Sequence, residues 1–197
     1  MGCLSFFNLQ EIIDKYNTTV FIETGLGYGS GLKYAQQFNF RILVSTEILA
    51  DHAEHMYRTE FNDDVRVFIR AGNSYEILDQ MLAVNYADEN IYFWLDAHYP
   101  GGDLGRNNYD YEQDIDVRLP LEKELEVIHK HRSNRQDVII ADDLRIYERG
   151  PYTSKNLDEI GLGHIAKYNS DHFSKYQEKY KITKLYHDTG FVVMEPK

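Results

Sequence analysis

Two pairs of side chains with useful chemistry follow apolar, β-rich runs of the sequence. Asp96 ends the run NIYFWLD and His98 follows two residues later, while Asp142 ends the run DVIIAD and Asp143 comes next. Carboxylate oxygens are the ligands that hard divalent cations prefer. An imidazole with an ordinary pKa of about 6.5 can accept a proton near neutral pH. The two pairs therefore have the residue types needed for metal-assisted proton abstraction, provided that the fold brings them together.

A glycine-rich loop, ETGLGYGSG, follows the first β-rich run and starts at Glu23. Its alternating glycines, Gly25, Gly27 and Gly29, allow the chain to turn sharply and to approach a ligand closely. The loop is typical of a site for a nucleotide-like cofactor. The dinucleotide pattern Gly-x-Gly-x-x-Gly does not fit, because its last position falls on Ser30 or, counted from the second glycine, on a leucine. The loop therefore argues against NAD.

The elements that must position these residues are five strand-like runs that alternate with helix-like stretches. The strand-like runs are 19–23, 41–47, 65–70, 90–96 and 137–142, and the helix-like stretches are 30–38, 50–60, 74–83 and 119–131. Alternation of this kind predicts right-handed crossovers and a parallel sheet covered on both faces. Ligands bind such sheets at the carboxyl ends of the strands. The acids that end the fourth and fifth runs should therefore face one crevice.

Three carboxylates in one crevice, those of Asp96, Asp142 and Asp143, repel one another unless they are protonated or neutralised by a cation. The sequence offers neither a cysteine cluster nor a spaced histidine pair, so a structural zinc site is not expected. Oxygen ligands suit a hard ion. The sequence therefore predicts a magnesium site, or a manganese site of the same kind.

Two further strand-like runs, 181–187 and 191–196, are separated by an Asp-Thr-Gly connection, which predicts a terminal antiparallel hairpin. The segment 150–180 is expected to be helical in its second half. A doubly wound, mostly parallel α/β sheet with a C-terminal hairpin resembles the Rossmann-like fold of class I S-adenosylmethionine-dependent methyltransferases. The resemblance covers about the whole chain, so residues 1–197 are expected to form a single methyltransferase domain.

The resemblance implies that S-adenosylmethionine binds at the ends of the first three strands. Glu23 and the glycines would hold the methionine end of the cofactor, and Glu47 would accept hydrogen bonds from both ribose hydroxyls. The stretch AGNSYEIL follows the third strand and brings Asn73 and Ser74 to the adenine. The implied cofactor-binding residues are Glu23, Thr24, Gly25, Gly27, Gly29, Ser30, Glu47, Asn73, Ser74 and Asp96.

The catalytic end resembles the metal-dependent sugar O-methyltransferases of the macrocin, mycinamicin and novobiocin type. Those enzymes place a metal-binding aspartate at the end of strand four, a base shortly after it, and two consecutive acids after strand five. The resemblance implies that Asp96, Asp142 and Asp143 bind Mg²⁺ or Mn²⁺ and that His98 is the catalytic base. This chain is shorter than those enzymes and lacks their long N-terminal extensions, so acceptor size and oligomeric state stay open.

The acceptor is expected to contact the long polar loop GGDLGRNNYDYEQDIDVRLP, which is too long for a simple connection. Tyr109 and Tyr111 could stack on a sugar ring, and Tyr99 and Arg145 lie nearby in the sequence. A solvated acidic excursion is the alternative interpretation of the loop. Two other functions stay open: a catechol-type O-methyltransferase, whose substrate also presents two adjacent oxygens, and a non-catalytic module that binds S-adenosylmethionine.

Composition excludes several classes of partner. The formal charge is −11 and the isoelectric point is about 5.1, which argues against a nucleic acid. No apolar run approaches the roughly 18 residues that a membrane helix requires. Cys3 is the only cysteine, so no internal disulfide can form. We expect a cytoplasmic protein that acts on a small molecule or a glycan, either as a homo-oligomer or within a larger glycan-modifying protein. The composition, rich in Tyr and Asn, loosely resembles that of proteins from large DNA viruses.

Overall fold

The structure is a computed structural model that describes residues 3–109, 111–155 and 172–197. A seven-stranded sheet forms its centre. The strands are β1 (Thr18–Thr24), β2 (Ile42–Glu47), β3 (Val67–Ala71), β4 (Asn90–Leu95), β5 (Val138–Ala141), β6 (Tyr180–Leu185) and β7 (Phe191–Pro196). Their order across the sheet is β3-β2-β1-β4-β5-β7-β6. Strands β1 to β5 are parallel, whereas β7 runs antiparallel to both of its neighbours.

The helices that cover the sheet precede β1 or come between successive strands. They are α1 (Leu9–Tyr16), α2 (Ser30–Ala35), α3 (Ala50–Met56), α4 (Ser74–Val84), α5 (Ile115–Arg118) and α6 (Leu121–Arg132). A π-helical turn, Tyr57–Phe61, continues α3, and three 3₁₀ turns occupy Leu4–Phe6, Leu144–Ile146 and Ser174–Tyr176. The doubly wound α/β architecture with a C-terminal antiparallel hairpin, predicted from the sequence, is confirmed.

The hydrophobic core lies on both faces of the sheet, as a parallel sheet requires. Alternate residues of β1 point in opposite directions: Ile22 belongs to the cluster under α4 and α6, whereas Phe21 belongs to the cluster under α2. Both side chains are fully buried. The central strands β1, β4 and β5 are buried along almost their whole length. Their carboxyl ends are therefore held rigidly, which is what a site built on them needs.

The chain order reverses between β1 and β4, because β2 and β3 lie on one side of β1 and β4 lies on the other. Main-chain hydrogen bonds fix this junction: the Asp96 amide donates to Thr24 and the Asp142 amide donates to Leu95. The residues that end β1, β4 and β5 are thus in register at one edge of the sheet. A crevice at such a reversal is the usual ligand site of an open α/β sheet.

The structure differs from the sequence-based expectations mainly at the helices. Helix α1 was not expected, and the helix expected at 119–131 begins at Leu121, after the separate short helix α5. Of the segment 150–180, residues 156–171 lie outside the described residues, and the rest of its second half contains only the Ser174–Tyr176 turn. Among the described residues, no helix is long and apolar enough to cross a membrane.

Candidate active site

The glycine loop after β1 forms one wall of a cavity at the carboxyl edge of the sheet. The amides of Gly25 and Leu26 both donate to the Thr46 carbonyl, which fixes the loop to β2. Gly25 has a φ of +80°, and a Cβ there would lie 2.8 Å from the Asp96 carbonyl oxygen. A side chain at this position would push the loop away from the end of β4. The loop glycine therefore keeps the cofactor wall and the catalytic strand in contact.

Glu23 ends β1 beneath the loop with 2% of its surface exposed. Its Oε2 accepts a hydrogen bond from the Ser45 hydroxyl at 2.7 Å. Burial raises the pKa of the Glu23 carboxyl to about 8, and the charge of Glu47 adds to that rise, although the Ser45 bond opposes it. A Cβ on Gly31 would lie only 2.1 Å from Glu23 Oε1. Gly31 is thus a further residue of the glycine loop that the site needs.

Glu47 ends β2 and turns its carboxylate toward the loop. One oxygen accepts the Leu49 amide at 2.9 Å, and the other accepts the Gly27 amide at 3.3 Å. These bonds fix the carboxylate against the cavity, where the remaining lone pairs can accept hydrogen bonds from a ligand. The predicted ribose-binding residue is therefore held by the same loop that was predicted to bind the methionine end.

The remaining predicted cofactor residues also lie at this edge of the sheet. Asn73 is the N-cap residue of α4 but makes no capping hydrogen bond with its side chain, and Ser74 beside it is buried. Both line the cavity, as does Ser30 at the start of α2. Thr24 lies just behind, where its hydroxyl accepts the Asp96 amide at 3.2 Å. The predicted cofactor residues that line the cavity are thus Glu23, Gly25, Gly27, Ser30, Glu47, Asn73, Ser74 and Asp96, whereas Thr24 and Gly29 do not line it.

The candidate catalytic group, here named the catalytic group, consists of Asp96, His98 and Asp143. Each offers one ligand atom, and these atoms all lie within 4.8 Å of one another. His98 Nε2 is 2.9 Å from Asp143 Oδ2, and His98 Nδ1 is 3.7 Å from Asp96 Oδ1. The second distance is too long for a hydrogen bond. The Asp96 carboxylate accepts no hydrogen bond from the residues that the structure describes, so its lone pairs are available to a ligand.

Charge in this group is unbalanced without a proton or a cation. Burial alone lowers the pKa of His98, but the hydrogen bond to Asp143 and the charges of Asp143, Asp96 and Asp103 outweigh burial and raise it to about 10. Burial and the charge of Asp142 raise the pKa of Asp96 well above its ordinary value. The carboxylates therefore stabilise a positive charge between them. When no cation is bound, protonated His98 supplies that charge.

Asp142 does not join this group, although the sequence places it beside Asp143. Its Oδ1 accepts the Asp143 amide at 2.6 Å and the Thr189 hydroxyl at 3.0 Å. Burial, together with the charge of Asp143, raises the pKa of Asp142 to about 7. Asp142 thus contributes to the structure of the turn after β5, and His98 stands where the third ligand was expected.

Two residues beside the catalytic group have left-handed backbones without being glycine. Tyr99 has a φ of +46° and Asp143 a φ of +52°. Such a conformation is uncommon for an aspartate and rarer for a large aromatic residue. It turns His98 and Asp143 toward each other from two different strand ends. Arg145 then closes the arrangement by donating from Nε to Asp143 Oδ1 at 3.1 Å.

The tyrosines expected to contact the acceptor divide into two groups. Tyr99 is buried and lines the cavity, and the Tyr109 ring packs edge-on against it at 5.3 Å between centroids. Tyr111, in contrast, is 66% exposed and does not line the cavity. Of these three tyrosines, only Tyr99 therefore lines the cavity, and Tyr109 packs against it.

Similar architectures occur among solved structures. A provisionally assigned caffeoyl-CoA O-methyltransferase from Staphylococcus aureus matches with a TM-score of 0.61 and 16% identity, over 100% of this chain and 85% of that one. A provisionally assigned O-methyltransferase from Klebsiella pneumoniae matches with a TM-score of 0.56 and 16% identity, over 96% and 78%. A methyltransferase from Geobacter sulfurreducens matches with a TM-score of 0.55 and 14% identity, over 95% of this chain and 75% of that one. This protein has the class I methyltransferase fold.

No protein-family model and no curated protein sequence matches the chain. At 14–16% identity the similarity to the solved structures is a similarity of fold. The cavity beside the glycine loop, Glu47 and Ser74 lies at the carboxyl edge of the sheet, at the β1–β4 reversal, where open α/β sheets bind their ligands.

The residues of the catalytic group fit a divalent cation. Asp96 offers a carboxylate that accepts no hydrogen bond from the described residues, Asp143 offers a second one and His98 a ring nitrogen, and these three ligand atoms lie within 4.8 Å of one another. Two oxygens and one nitrogen make a donor set that magnesium or manganese accepts. Among the described residues, no cysteine belongs to this group.

Sequence reasoning missed one charged residue of this site. Asp103 lines the cavity, and its Oδ2 is 3.8 Å from His98 Nε2. The residue lies inside the loop that was singled out for its length, but five acids in that loop look alike in the sequence. Only the turn at Gly101 and Gly102, which folds the chain back toward His98, distinguishes Asp103 from the others.

Proposed function

We propose that this protein is a metal-dependent O-methyltransferase that transfers a methyl group from S-adenosylmethionine to a sugar hydroxyl of a glycan or glycoside. One observation carries the proposal: the Asp96, His98 and Asp143 group opens into the same cavity as the glycine loop and Glu47. A base, two acids and a donor pocket within one cavity match the requirements of methyl transfer to a weakly acidic hydroxyl.

His98 is the base in this mechanism. With a pKa of about 10 its ring is protonated when no cation is present, and the charge of a cation at Asp96 and Asp143 would lower that pKa so that the neutral ring can act. Nε2 lies 2.9 Å from Asp143 Oδ2, which orients the ring and stabilises the imidazolium that forms, so Nδ1 is the nitrogen that accepts the proton of the acceptor hydroxyl. A divalent cation held by Asp96 and Asp143 would supply the positive charge that balances these acids and would stabilise negative charge on the acceptor oxygen. Tyr99 lines the cavity beside His98 and Tyr109 packs edge-on against it, so this aromatic pair forms the proposed wall of the acceptor side.

On the donor side, Glu47 holds the ribose and Glu23, buried beneath the loop, supports the methionine end. S-adenosylmethionine supplies an electrophilic methyl group, so the protein contributes mainly positioning and electrostatics. Because the glycine loop touches the end of β4 at Asp96, the donor and the acceptor oxygen are held on one rigid edge. We also propose that residues 1–197 form a single domain and that the protein is cytoplasmic. It acts in this proposal as a homo-oligomer or within a larger glycan-modifying protein.

A catechol-type acceptor is the second candidate. It is favoured by the name of the Staphylococcus aureus structure, a caffeoyl-CoA O-methyltransferase, and by the aromatic wall of Tyr99 and Tyr109. A catechol would also present two adjacent oxygens to one cation. The two candidates share the donor site and the catalytic group and differ only in the acceptor.

The test is methyl transfer from labelled S-adenosylmethionine to a panel of glycosides and catechols, with chelator and after adding back Mg²⁺ or Mn²⁺. We expect transfer to a glycoside, loss of transfer in chelator, and recovery with either ion. Transfer only to catechols would support the second candidate. Full activity in excess chelator would contradict the metal requirement, and tight cofactor binding without transfer to any acceptor would indicate a non-catalytic module.

A further inference from the structure

The segment from Tyr99 to Tyr109, here named the bridging segment, connects the catalytic group to the opposite wall of the donor cavity. It starts beside His98 and contributes Gly101, Asp103 and Leu104 to the cavity lining. Its middle reaches α3, the helix that follows Glu47. One short piece of chain therefore contacts both the residues proposed for catalysis and the wall proposed for the cofactor.

The fold of the bridging segment is set by its own backbone. Gly101 has a φ of +74°, and its carbonyl accepts the amides of Arg106 at 2.9 Å and Asn107 at 3.2 Å. The Asn107 side chain donates to the Pro100 carbonyl at 3.0 Å. A Cβ on Gly102 would meet the Tyr109 ring at 2.9 Å. These contacts turn the segment back on itself and determine where Asp103 points.

Asp103 points toward the catalytic group. One carboxylate oxygen, Oδ1, accepts the Tyr109 hydroxyl at 2.9 Å. The other, Oδ2, lies 3.8 Å from His98 Nε2, the atom that also contacts Asp143. The side chain is 47% exposed, so it stands on the solvent side of the group. The hydrogen bond from Tyr109 occupies Oδ1 and leaves Oδ2 as the oxygen that lies near His98.

The second anchor of the bridging segment is an ion pair on the opposite wall. Arg106 Nη1 is 2.8 Å from Asp51 Oδ2, and Asp51 lies in the first turn of α3. Neither residue lines the cavity. If this pair affects the catalytic group, it does so through the position of the bridging segment.

We propose that Asp103 is a positioning residue for the divalent cation, and that the Arg106–Asp51 ion pair holds it in place from the far wall of the donor cavity. The inference rests on the proposed function, because it concerns the cation of the Asp96, His98 and Asp143 group. Asp103 acts on that cation by its charge and by accepting hydrogen bonds from water on the ion. Magnesium and manganese sites keep several such waters.

Removing such an outer partner typically costs about 10- to 100-fold in metal affinity. Asp103→Asn should therefore raise the dissociation constant for Mn²⁺ about tenfold, because the exposed position of Asp103 favours the low end of that range. Arg106→Gln should raise it only about two- to threefold, since exposed ion pairs contribute little. That smaller effect should disappear at high salt, where exposed charges are screened.

The experiment is calorimetric titration of Mn²⁺ into the full chain, which needs no acceptor and no turnover. The matched control for Asp103→Asn is Asp116→Asn, which removes another exposed acid from the same connection. The control for Arg106→Gln is Arg135→Gln, which removes the exposed pair with Asp88. Cofactor affinity, measured in parallel, shows that each variant is folded.

Two further variants separate a positioning role from a general structural one. Arg106→Lys can still pair with Asp51 and should restore most of the Mn²⁺ affinity. The double variant Asp51→Asn with Arg106→Gln should bind Mn²⁺ no more weakly than Arg106→Gln alone, because the two residues act as one pair. Additive losses would contradict a shared role.

The outcomes distinguish the inference from the proposed function. A parent chain that binds no Mn²⁺ contradicts the proposed metal-dependent function and this inference with it. Equal Mn²⁺ affinity in the parent and in Asp103→Asn contradicts the inference alone. Equal losses of Mn²⁺ affinity in Asp103→Asn and Asp116→Asn would mean that the overall charge of the protein causes the effect. That result would also overturn the role assigned to Asp103.

Discussion

The carboxylates on the two sides of the cavity are held differently. The donor half is the side with the glycine loop, Glu23 and Glu47, which is proposed to bind the cofactor, and the catalytic half is the side with Asp96, His98 and Asp143. On the donor half, Glu47 receives hydrogen bonds from two backbone amides and Glu23 receives one from a serine hydroxyl. On the catalytic half, Asp96 accepts no hydrogen bond from the described residues, and Asp143 is balanced by His98 and Arg145. The donor acids are fixed by the fold itself, whereas the catalytic acids depend on a positive charge brought to them.

This difference predicts that substitutions in the two halves change different properties of the protein. A change in the donor half should act on folding and cofactor affinity, because its acids belong to a network of backbone contacts. A change in the catalytic half should act on turnover, because its groups are held by separate strand ends and meet only at the cavity. The variants below test that separation, from the largest expected effect to the smallest.

The largest effect is expected for His98→Ala. Loss of a general base lowers kcat by roughly 10² to 10⁴, while affinity for S-adenosylmethionine should stay within about twofold of the parent because His98 makes no contact with the donor acids. Initial rates with labelled cofactor and the acceptor found in the panel measure kcat, and calorimetry measures the affinity for S-adenosylmethionine. His55→Ala on exposed α3 is the matched control. A variant that keeps most of its kcat would move the base to another residue.

Gly31→Ala should destabilise the fold and weaken cofactor binding together. The added methyl group would lie 2.1 Å from Glu23 Oε1 in a closed space, and overpacking of this kind costs about 1–3 kcal/mol. Chemical denaturation measures the loss. Gly105→Ala is a useful comparison, because a Cβ there meets open space and only its φ of +66° opposes the substitution, whereas Gly31 has no such φ. If Gly31→Ala were the more stable of the two, the close packing of Glu23 under the loop would be wrong.

Glu47→Ala should lower the affinity for S-adenosylmethionine about tenfold, equivalent to about 1.4 kcal/mol. The variant removes the acceptor for the ribose hydroxyls and leaves the Gly27 and Leu49 amides without a partner. Calorimetry measures the change, and Glu60→Ala, which removes an exposed glutamate paired with Lys33, serves as the control. Unchanged affinity would remove Glu47 from the donor site.

The last test is a change in the pH dependence of stability. Glu23 has a folded-state pKa of about 8, above its ordinary value of 4.5. Between these values the folded chain keeps a proton that the unfolded chain has lost, so this group makes the free energy of unfolding fall as pH rises. The slope for one group is at most about 1.4 kcal/mol per pH unit. Glu23→Gln should therefore flatten the measured curve between about pH 5 and 8, and an unchanged slope would contradict the raised pKa.

The sheet and its hairpin could be predicted because the strands are short, apolar and separated by clear helical stretches. The strand-end acids Glu23, Glu47 and Asp96 followed from the same pattern, since each ends a buried run. The first helix, α1, was missed although its signal is present. Asn8 caps it, and apolar residues recur at helical spacing at Leu9, Ile12, Ile13 and Tyr16. Helix α1 lies before β1, whereas the helices predicted from the sequence all follow a strand.

The catalytic group could be predicted only in part. Two adjacent aspartates cannot be told apart in a sequence, because which one faces the cavity depends on the left-handed φ of Asp143 and on the Thr189 hydroxyl that holds Asp142. The role of Asp103 depends on the turn at Gly101, and the exposure of Tyr111 depends on where the loop folds. These are properties of backbone geometry and of contacts between distant residues, so residue type and spacing do not determine them.

The place of β7 has a consequence for the order in which the molecule is made. Strands β1 to β4 can pair as soon as they leave the ribosome, so the donor wall can form early in synthesis. The turn after β5 must wait, because the amides of Leu144 and Arg145 donate to Gly190 and Thr189, and Asp142 binds the Thr189 hydroxyl. A nascent chain that stops before residue 189 therefore contains the glycine loop and Glu47 but lacks the contacts that complete the turn after β5.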